Sequence, residues 1–172
     1  SVSDNIMMRE KVMKVFIKNK LVSIGGSSSV TDENGTDVFK VKGKAVSVTR
    51  KKYVCDLEDK VLFSVRNRWI NLIVHKAFVY DADKCKIAVV KNKPFSLKRA
   101  FKVDCVDGEI TFDGEFFSLS SRILRNGSEI GVLRRDLTIV RDSFSLDADE
   151  KDMPFLVALV IAIDNIVDNT KK

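Results

Sequence analysis

The sequence predicts a mainly β protein of the α+β class: a closed antiparallel barrel of about twelve strands with a hydrophobic C-terminal helix at its centre. Three observations carry this prediction. Short β-branched runs alternate with turn residues from about residue 12 to 146. The 3.6-residue periodicity of amphipathic helices is missing from that region. One stretch, Phe155–Ile163, is apolar on every face.

The strands follow from their turns. An opening strand lies near 12–18. Val30-Thr31-Asp32 then runs into a turn at Glu33-Asn34-Gly35, followed by Val38, Phe39 and Val41. Tyr53-Val54-Cys55 leads through a turn from Asp56 to Lys60 into Val61, Phe63 and Val65. Phe78-Val79-Tyr80 turns over Asp81 to Lys84 into Ile87, Val89 and Val90. Phe101-Lys102-Val103 turns at Asp107-Gly108 into Ile110 and Phe112, and Ile123-Leu124 turns at Asn126-Gly127 into Ile130, Val132 and Leu133. Asn-Gly and Asp-Gly between β-branched runs are strong hairpin signals, because both favour the positive φ such turns require. A closing strand lies near 138–146.

These hairpins form a weak internal repeat. An apolar, small polar, apolar tripeptide recurs as Val22-Ser23-Ile24, Val46-Ser47-Val48, Ile70-Asn71-Leu72, Phe95-Ser96-Leu97, Phe117-Ser118-Leu119 and Leu137-Thr138-Ile139, with starts 24, 24, 25, 22 and 20 residues apart. Two positions before each stand Lys20, Lys44, Arg68, Lys93, Glu115 and Arg135.

The helix is predicted over 152–167. Asp149, Glu150 and Asp152 suit the positive end of its dipole, and Pro154 suits its first turn. A helix apolar all round is either a core or a membrane helix. About 16 residues at ~1.5 Å each reach only ~24 Å, so the core is its place. Barrel size agrees: about eight strands fill their own interior and sixteen leave a channel. About twelve leave a bore that one helix ~10–12 Å across can fill.

Composition sets the outer bounds. The 172 residues are 45% hydrophobic and 31% charged, fitting one globular domain over 1–172. Thirty Lys and Arg against 24 Asp and Glu give +6, which permits an anionic partner without requiring one. Cys55, Cys85 and Cys105 form no CxxC pair and argue for a reducing compartment. The first residues have no apolar signal segment, and no apolar run reaches the ~20 residues a spanning helix needs. A cytoplasmic location, peripheral at membranes, is the expectation.

The phrase Thr31 to Gly43, the recurring Phe-Ser-Leu and the ending Ala158 to Ile166 resemble the LURP-one-related family, with the likeness running from about residue 7 to 168. That family belongs with the tubby C-terminal domain and the phospholipid scramblases. The resemblance implies a twelve-stranded barrel around a hydrophobic C-terminal helix. Tubby domains bind phosphoinositides through basic residues, and scramblases act at membranes with calcium and palmitoylated cysteines. This chain has no cysteine-rich stretch or EF-hand-like loop of the scramblase kind, and no motif carries tubby's lipid-binding residues over.

If each unit contributes one hairpin, equivalent positions fall at the same end of the barrel. The turns then gather Asp32, Glu33, Asp56, Glu58, Asp59, Asp81, Asp83, Asp107 and Glu129. The longer connections gather Lys18, Lys20, Lys42, Lys44, Arg50, Lys51, Lys52, Arg66, Arg68, Lys76, Lys91, Lys93, Lys98, Arg99, Arg134 and Arg135. One rim is expected to be acidic and the other basic. Lys42, Lys44, Arg66, Arg68, Lys91, Lys93 and Arg135 are the candidate anion-binding residues. Anionic lipid is the partner they suit, at roughly 1 kcal/mol per well-placed cation. Trp69, Phe95, Phe116 and Phe117 sit in the same connections, where aromatics can seat at a membrane interface. Strand-end lysines also serve simply as solubilising devices, so the alternative is a structural or protein-interaction module without a small ligand.

Enzymatic readings lack support. Gly25-Gly26-Ser27-Ser28-Ser29 has neither the Gly-Lys-Ser/Thr ending of a phosphate loop nor a following helix. No GxSxG occurs. His75 is the single histidine and has no catalytic company. No spacing of ligands points to a metal, and no cofactor is implied. Nucleic acid is disfavoured as a partner, since no RNP, zinc-finger or helix-turn-helix pattern is present. Asp164, within the apolar helix, is expected either to mark the helix leaving the barrel or to meet a basic residue of the wall.

Overall fold

The structure is a computed structural model and describes residues 11–18, 26–70, 73–92, 101–113, 120–138 and 141–170. It contains twelve strands in chain order: β1 (Val12–Lys18), β2 (Ser27–Thr31), β3 (Asp37–Gly43), β4 (Lys52–Cys55), β5 (Val61–Asn67), β6 (Lys76–Tyr80), β7 (Lys86–Asn92), β8 (Phe101–Cys105), β9 (Gly108–Asp113), β10 (Ser120–Arg125), β11 (Ser128–Thr138) and β12 (Arg141–Asp149). One helix, α1 (Met153–Thr170), follows. Each strand pairs antiparallel with its sequence neighbours, and β1 pairs with β12 from Val12↔Asp149 to Lys18↔Ser143, closing the tube. The closed barrel and single C-terminal helix agree with the architecture expected from the sequence.

The wall obeys the two-residue period of a pleated strand. Val30, Val41, Val54, Val65, Val79, Val90 and Val103 point inward and are fully buried. Several meet directly across neighbouring strands, as Val41↔Val54, Val65↔Val79 and Val90↔Val103. The repeat is visible in the backbone as well. A register shift lies just before the last one or two pairs of the first strand, next to the turn, in four hairpins, at Val30/Thr31, Val54/Cys55, Val79/Tyr80 and Ile123/Leu124.

α1 fills the bore. Leu156 to Ile163 are each at most 1% exposed, which over more than two turns means that every side of the helix is covered. Gly131 on β11 supplies clearance, since a Cβ there would stand 2.9 Å from the Asp147 carbonyl and 3.4 Å from Leu156 Cδ1.

Two sequence expectations change. The β8–β9 turn is Val106-Asp107, and Gly108 already opens β9 with φ +128°. The side chain of Asn126 stands where a Gly108 Cβ would go, so the glycine is required there by space as well as by its φ. Lys52 does not lie on the basic rim. It shares the inward parity of Val54 and is buried inside the barrel.

Candidate anion-binding surface

The two ends of the barrel differ because they are built from different connections. Three tight turns at one end repeat a single design. The carboxylates of Asp32, Asp56 and Asp81 accept the backbone N–H of Thr36 (2.9 Å), Lys60 (2.8 Å) and Cys85 (2.8 Å). The positive-φ position is filled by Gly35, Asp59 and Lys84 in turn. These acids are turn formers first. Neighbouring lysines engage others nearby: Lys40 and Lys42 lie 2.9 and 3.0 Å from one Asp59 oxygen. The hydrogen bond from Lys40, then that from Lys42, holds the Asp59 carboxyl below its ordinary range.

At the other end the connection 44–51 and the described residues 68–70 and 73–75 of the next one contain no Asp or Glu. The first is a folded loop. Lys44 N–H donates to the Lys51 carbonyl (3.0 Å), Lys51 N–H to Ser47 Oγ (2.8 Å), and Asn67 N–H to the Thr49 carbonyl (2.7 Å). Asn165 of the helix donates from Nδ2 to the Arg50 carbonyl (3.0 Å) and Asn67 from Nδ2 to the Asn165 carbonyl (3.2 Å). The loop is thereby tied to both wall and plug. Its apolar side chains are nonetheless outside: Val46 is 85% and Val48 71% exposed, as are Trp69 (70%), Ile70 (58%) and Ile73 (69%) on the neighbouring connection.

Where the 44–51 loop lies over the outer wall, a groove of about 440 Å³ opens. It is lined by Lys44, Lys51, Arg66 and Lys84, by Val46, Val48 and Trp69, and by hydroxyl groups that include Tyr80. Arg66 donates from Nε (2.9 Å) and Nη2 (2.7 Å) to Tyr80 Oη, with its guanidinium 5.1 Å from the ring centre. Lys51 lies 5.2 Å above the Tyr53 ring.

The residues singled out from sequence divide into distinct groups. Lys44, Arg66 and Arg68 are exposed, and no carboxylate among the described residues pairs with them. Lys42 is tied to Asp59, and Lys91 to Asp104 at 2.6 Å. Arg135 is half-buried on β11, on the inward alternation set by Leu133. Lys93 lies outside the described residues, as do Phe95, Phe116 and Phe117. Sequence reasoning missed Lys84 and Tyr80, which β6 and its turn carry to the groove. The signal was the register: Tyr80 pairs with Ser64, two residues from Arg66 on the same outer face. Asp164 meets a basic wall residue, Lys52, as one of its two alternatives required.

Among the described residues, no cluster of three or more His, Cys, Asp or Glu is arranged to hold a metal ion. No described helix is long and apolar enough to cross a membrane.

Comparison with known proteins bears on the fold and the family. No curated protein matches the chain. A crystal structure of a protein from Arabidopsis thaliana is similar, with 19% identity over 90% of this chain and 91% of the other and a TM-score of 0.60, a likeness of fold. A family model described as LURP-one-related matches residues 13–164, nearly the entire barrel and most of its plug. The chain belongs to the LURP-one-related family.

Proposed function

We propose that this domain is a non-enzymatic module that binds anionic phospholipid at membrane surfaces through its basic end. One observation carries the reading: cations without carboxylate partners, Lys44 and Arg68 on the two connections and Arg66 on the adjoining part of β5, share this end with exposed apolar side chains. Lys44, Arg66 and Arg68 stand beside Val46, Val48, Trp69, Ile70 and Ile73. A purely solubilising end needs the charges and not the exposed apolar groups. A bilayer interface uses both, since each cation near anionic lipid contributes about 1 kcal/mol and Trp is favoured at headgroup depth.

Vesicle sedimentation tests the proposal. Binding is expected to vesicles containing phosphatidylserine and not to phosphatidylcholine alone, weakening as salt rises from about 0.05 to 0.5 M. Lys44→Gln with Arg68→Gln should weaken it further. A protein-docking surface built on the same apolar residues would instead leave no vesicle binding at any composition.

A further inference from the structure

The bore is apolar along most of its length and polar at one end. Inward positions on the neighbouring strands β4, β5 and β6 carry the polar groups. Lys52 shares the inward parity of Val54, and Asn67 that of Val65. His75, just before β6, shares the parity of Ala77 and Val79, and its carbonyl extends the ladder to β7 by accepting the Asn92 N–H (3.2 Å). The registers set these residues side by side. Lys52 pairs with Val65, two residues from Asn67, and Asn67 pairs with Ala77, two residues from His75. Asp164 and Asn165 of α1 meet them, Asp164 at Lys52 and Asn165 at the Asn67 amide. Lys52, Asn67, Asp164 and Asn165 are all more than nine-tenths buried.

The orientations of both amides are fixed. Asn67 Nδ2 donates to the Asn165 carbonyl (3.2 Å), and Asn165 Nδ2 to the Arg50 carbonyl (3.0 Å). A carbonyl only accepts, so turning either amide over would set oxygen against oxygen. Each Oδ1 is thereby directed away from its carbonyl. Both oxygens are enclosed, and neither meets a donor among the described residues. His75 Nδ1 is enclosed in the same way. Buried polar atoms are nearly always satisfied, so several orphans at one end of a core call for an explanation. Lys52 Nζ stands 3.9 Å from Asp164 Oδ2, beyond a direct hydrogen bond and at a spacing that a bridging molecule suits.

What this cluster lacks is donors. An apolar ligand brings none. A metal cation would satisfy the oxygens, but the Lys52 ammonium already holds a positive charge there and repels a second. Water brings two donors, accepts from the ammonium, and when buried makes about three such bonds. We propose that the polar end of the bore is a closed water-binding site, in which an ordered water bridges α1 to the wall through Asn67 Oδ1, Asn165 Oδ1 and the Lys52–Asp164 pair. The site lies directly behind the 44–51 loop, since Asn67 N–H donates to the Thr49 carbonyl and Asn165 to that of Arg50. Water there helps to fix the loop that presents Lys44, Val46 and Val48. It also lowers the cost of enclosing a charge pair in an apolar bore.

The unsubstituted full chain provides the first test. A high-resolution crystal structure should show water density about 2.7–3.2 Å from Asn67 Oδ1 and Asn165 Oδ1. In solution, the side-chain amide protons of Asn67 and Asn165 should show magnetic cross-relaxation with a water that stays far longer than surface hydration. The exposed Asn34 amide should not. Asn165→Leu removes one of the two oxygens and keeps the main-chain carbonyl that Asn67 bonds, so it should abolish the long-lived water signal at Asn67. Circular dichroism would confirm that this variant is folded; if it is not, the two measurements on the parent decide. Absence of density at both oxygens, or a Lys52 ammonium bonded straight to them, would overturn the site. Crystals grown with rubidium in place of sodium test the other occupant. An anomalous peak between the two amides would show a bound cation and overturn the water assignment.

Discussion

Lys52 Nζ lies 3.9 Å from a carboxylate oxygen of Asp164, with the two side chains only 10% and 9% exposed, so a charge pair joins wall to plug inside the barrel. Asp164 sits in the C-terminal part of α1, where the dipole disfavours an acid. The ammonium from β4 offsets that cost, and the neighbouring polar contacts of Asn67 and Asn165 place the pair in the polar end of an otherwise apolar bore.

Removing one partner should therefore hurt more than removing both. Asp164→Leu leaves the Lys52 ammonium buried without this carboxylate and is expected to cost about 3 kcal/mol. Lys52→Met combined with Asp164→Leu should recover much of that loss. Urea unfolding of the two singles and the double gives the coupling, and strictly additive losses would show that the pair does not act as a unit.

That pair also shows what the sequence reveals and where it stops. The strands were readable because alternation and Asx-Gly turns are local signals, and the helix because a stretch without a polar face has to be surrounded. The inward placement of Lys52 was available in principle from its parity with Val54, but a rim position was equally compatible with a lysine at the start of a strand. The ties of Lys42 to Asp59 and Lys91 to Asp104 join residues 17 and 13 positions apart on different elements. No local pattern separates them from the unpaired Lys44. The groove depends on how the 44–51 loop lies across β5 and β6, which is tertiary information.

Gly108 and Asn126 are fitted to one another. A Cβ on Gly108 would stand 2.3 Å from Asn126 Oδ1, which accepts the Glu109 N–H at 3.0 Å. Gly108→Ala therefore meets both a clash and a φ of +128°, and is expected to cost about 1–3 kcal/mol. Asn126→Gly in the same chain should relieve the clash and leave the backbone strain. Asn126 is itself at φ +49°, so Asn126→Gly alone is the reference: thermal unfolding should show that adding Gly108→Ala to it costs less than in the parent but still something, and no cost at all would mean that φ carries no penalty at Gly108.

Lys84 occupies the positive-φ position, at φ +64°, that Gly35 fills in the equivalent turn. Lys84→Gly should raise stability by about 0.5–1 kcal/mol. The same exchange at Asp59 removes the carboxylate that Lys40 and Lys42 share, so its gain should be smaller or absent. Urea midpoints of the two variants provide the comparison.

Asp104 connects the candidate residue Lys91 to acid stability. The Lys91 hydrogen bond holds the Asp104 carboxyl below its ordinary range. Its contribution is thus fully present above the unfolded value of about 3.9 and fades as pH falls through the folded one. Asp104→Asn should flatten the loss of stability below about pH 4 relative to the parent, leaving the Asp59 share in place. Unchanged acid curves would mean that Lys91 is not engaged in solution and belongs with the unpaired cations.

The three thiols should report the barrel directly. Cys85 is exposed in the β6–β7 turn, Cys55 is buried, and Cys105 is half-buried with burial pushing its thiol up to about 11. Burial also raises Cys55 above its ordinary value. Since the thiolate is the reacting form, a disulfide reagent at about pH 8 should label one cysteine quickly in the folded protein and all three in urea. Shortening the chain before Asp152 removes the plug and should expose Cys55 and Cys105 at once, alongside loss of sharp thermal unfolding. Native-like protection of Cys55 in that shortened protein would show that the wall closes and packs without its helix, against the requirement that a twelve-stranded bore be filled.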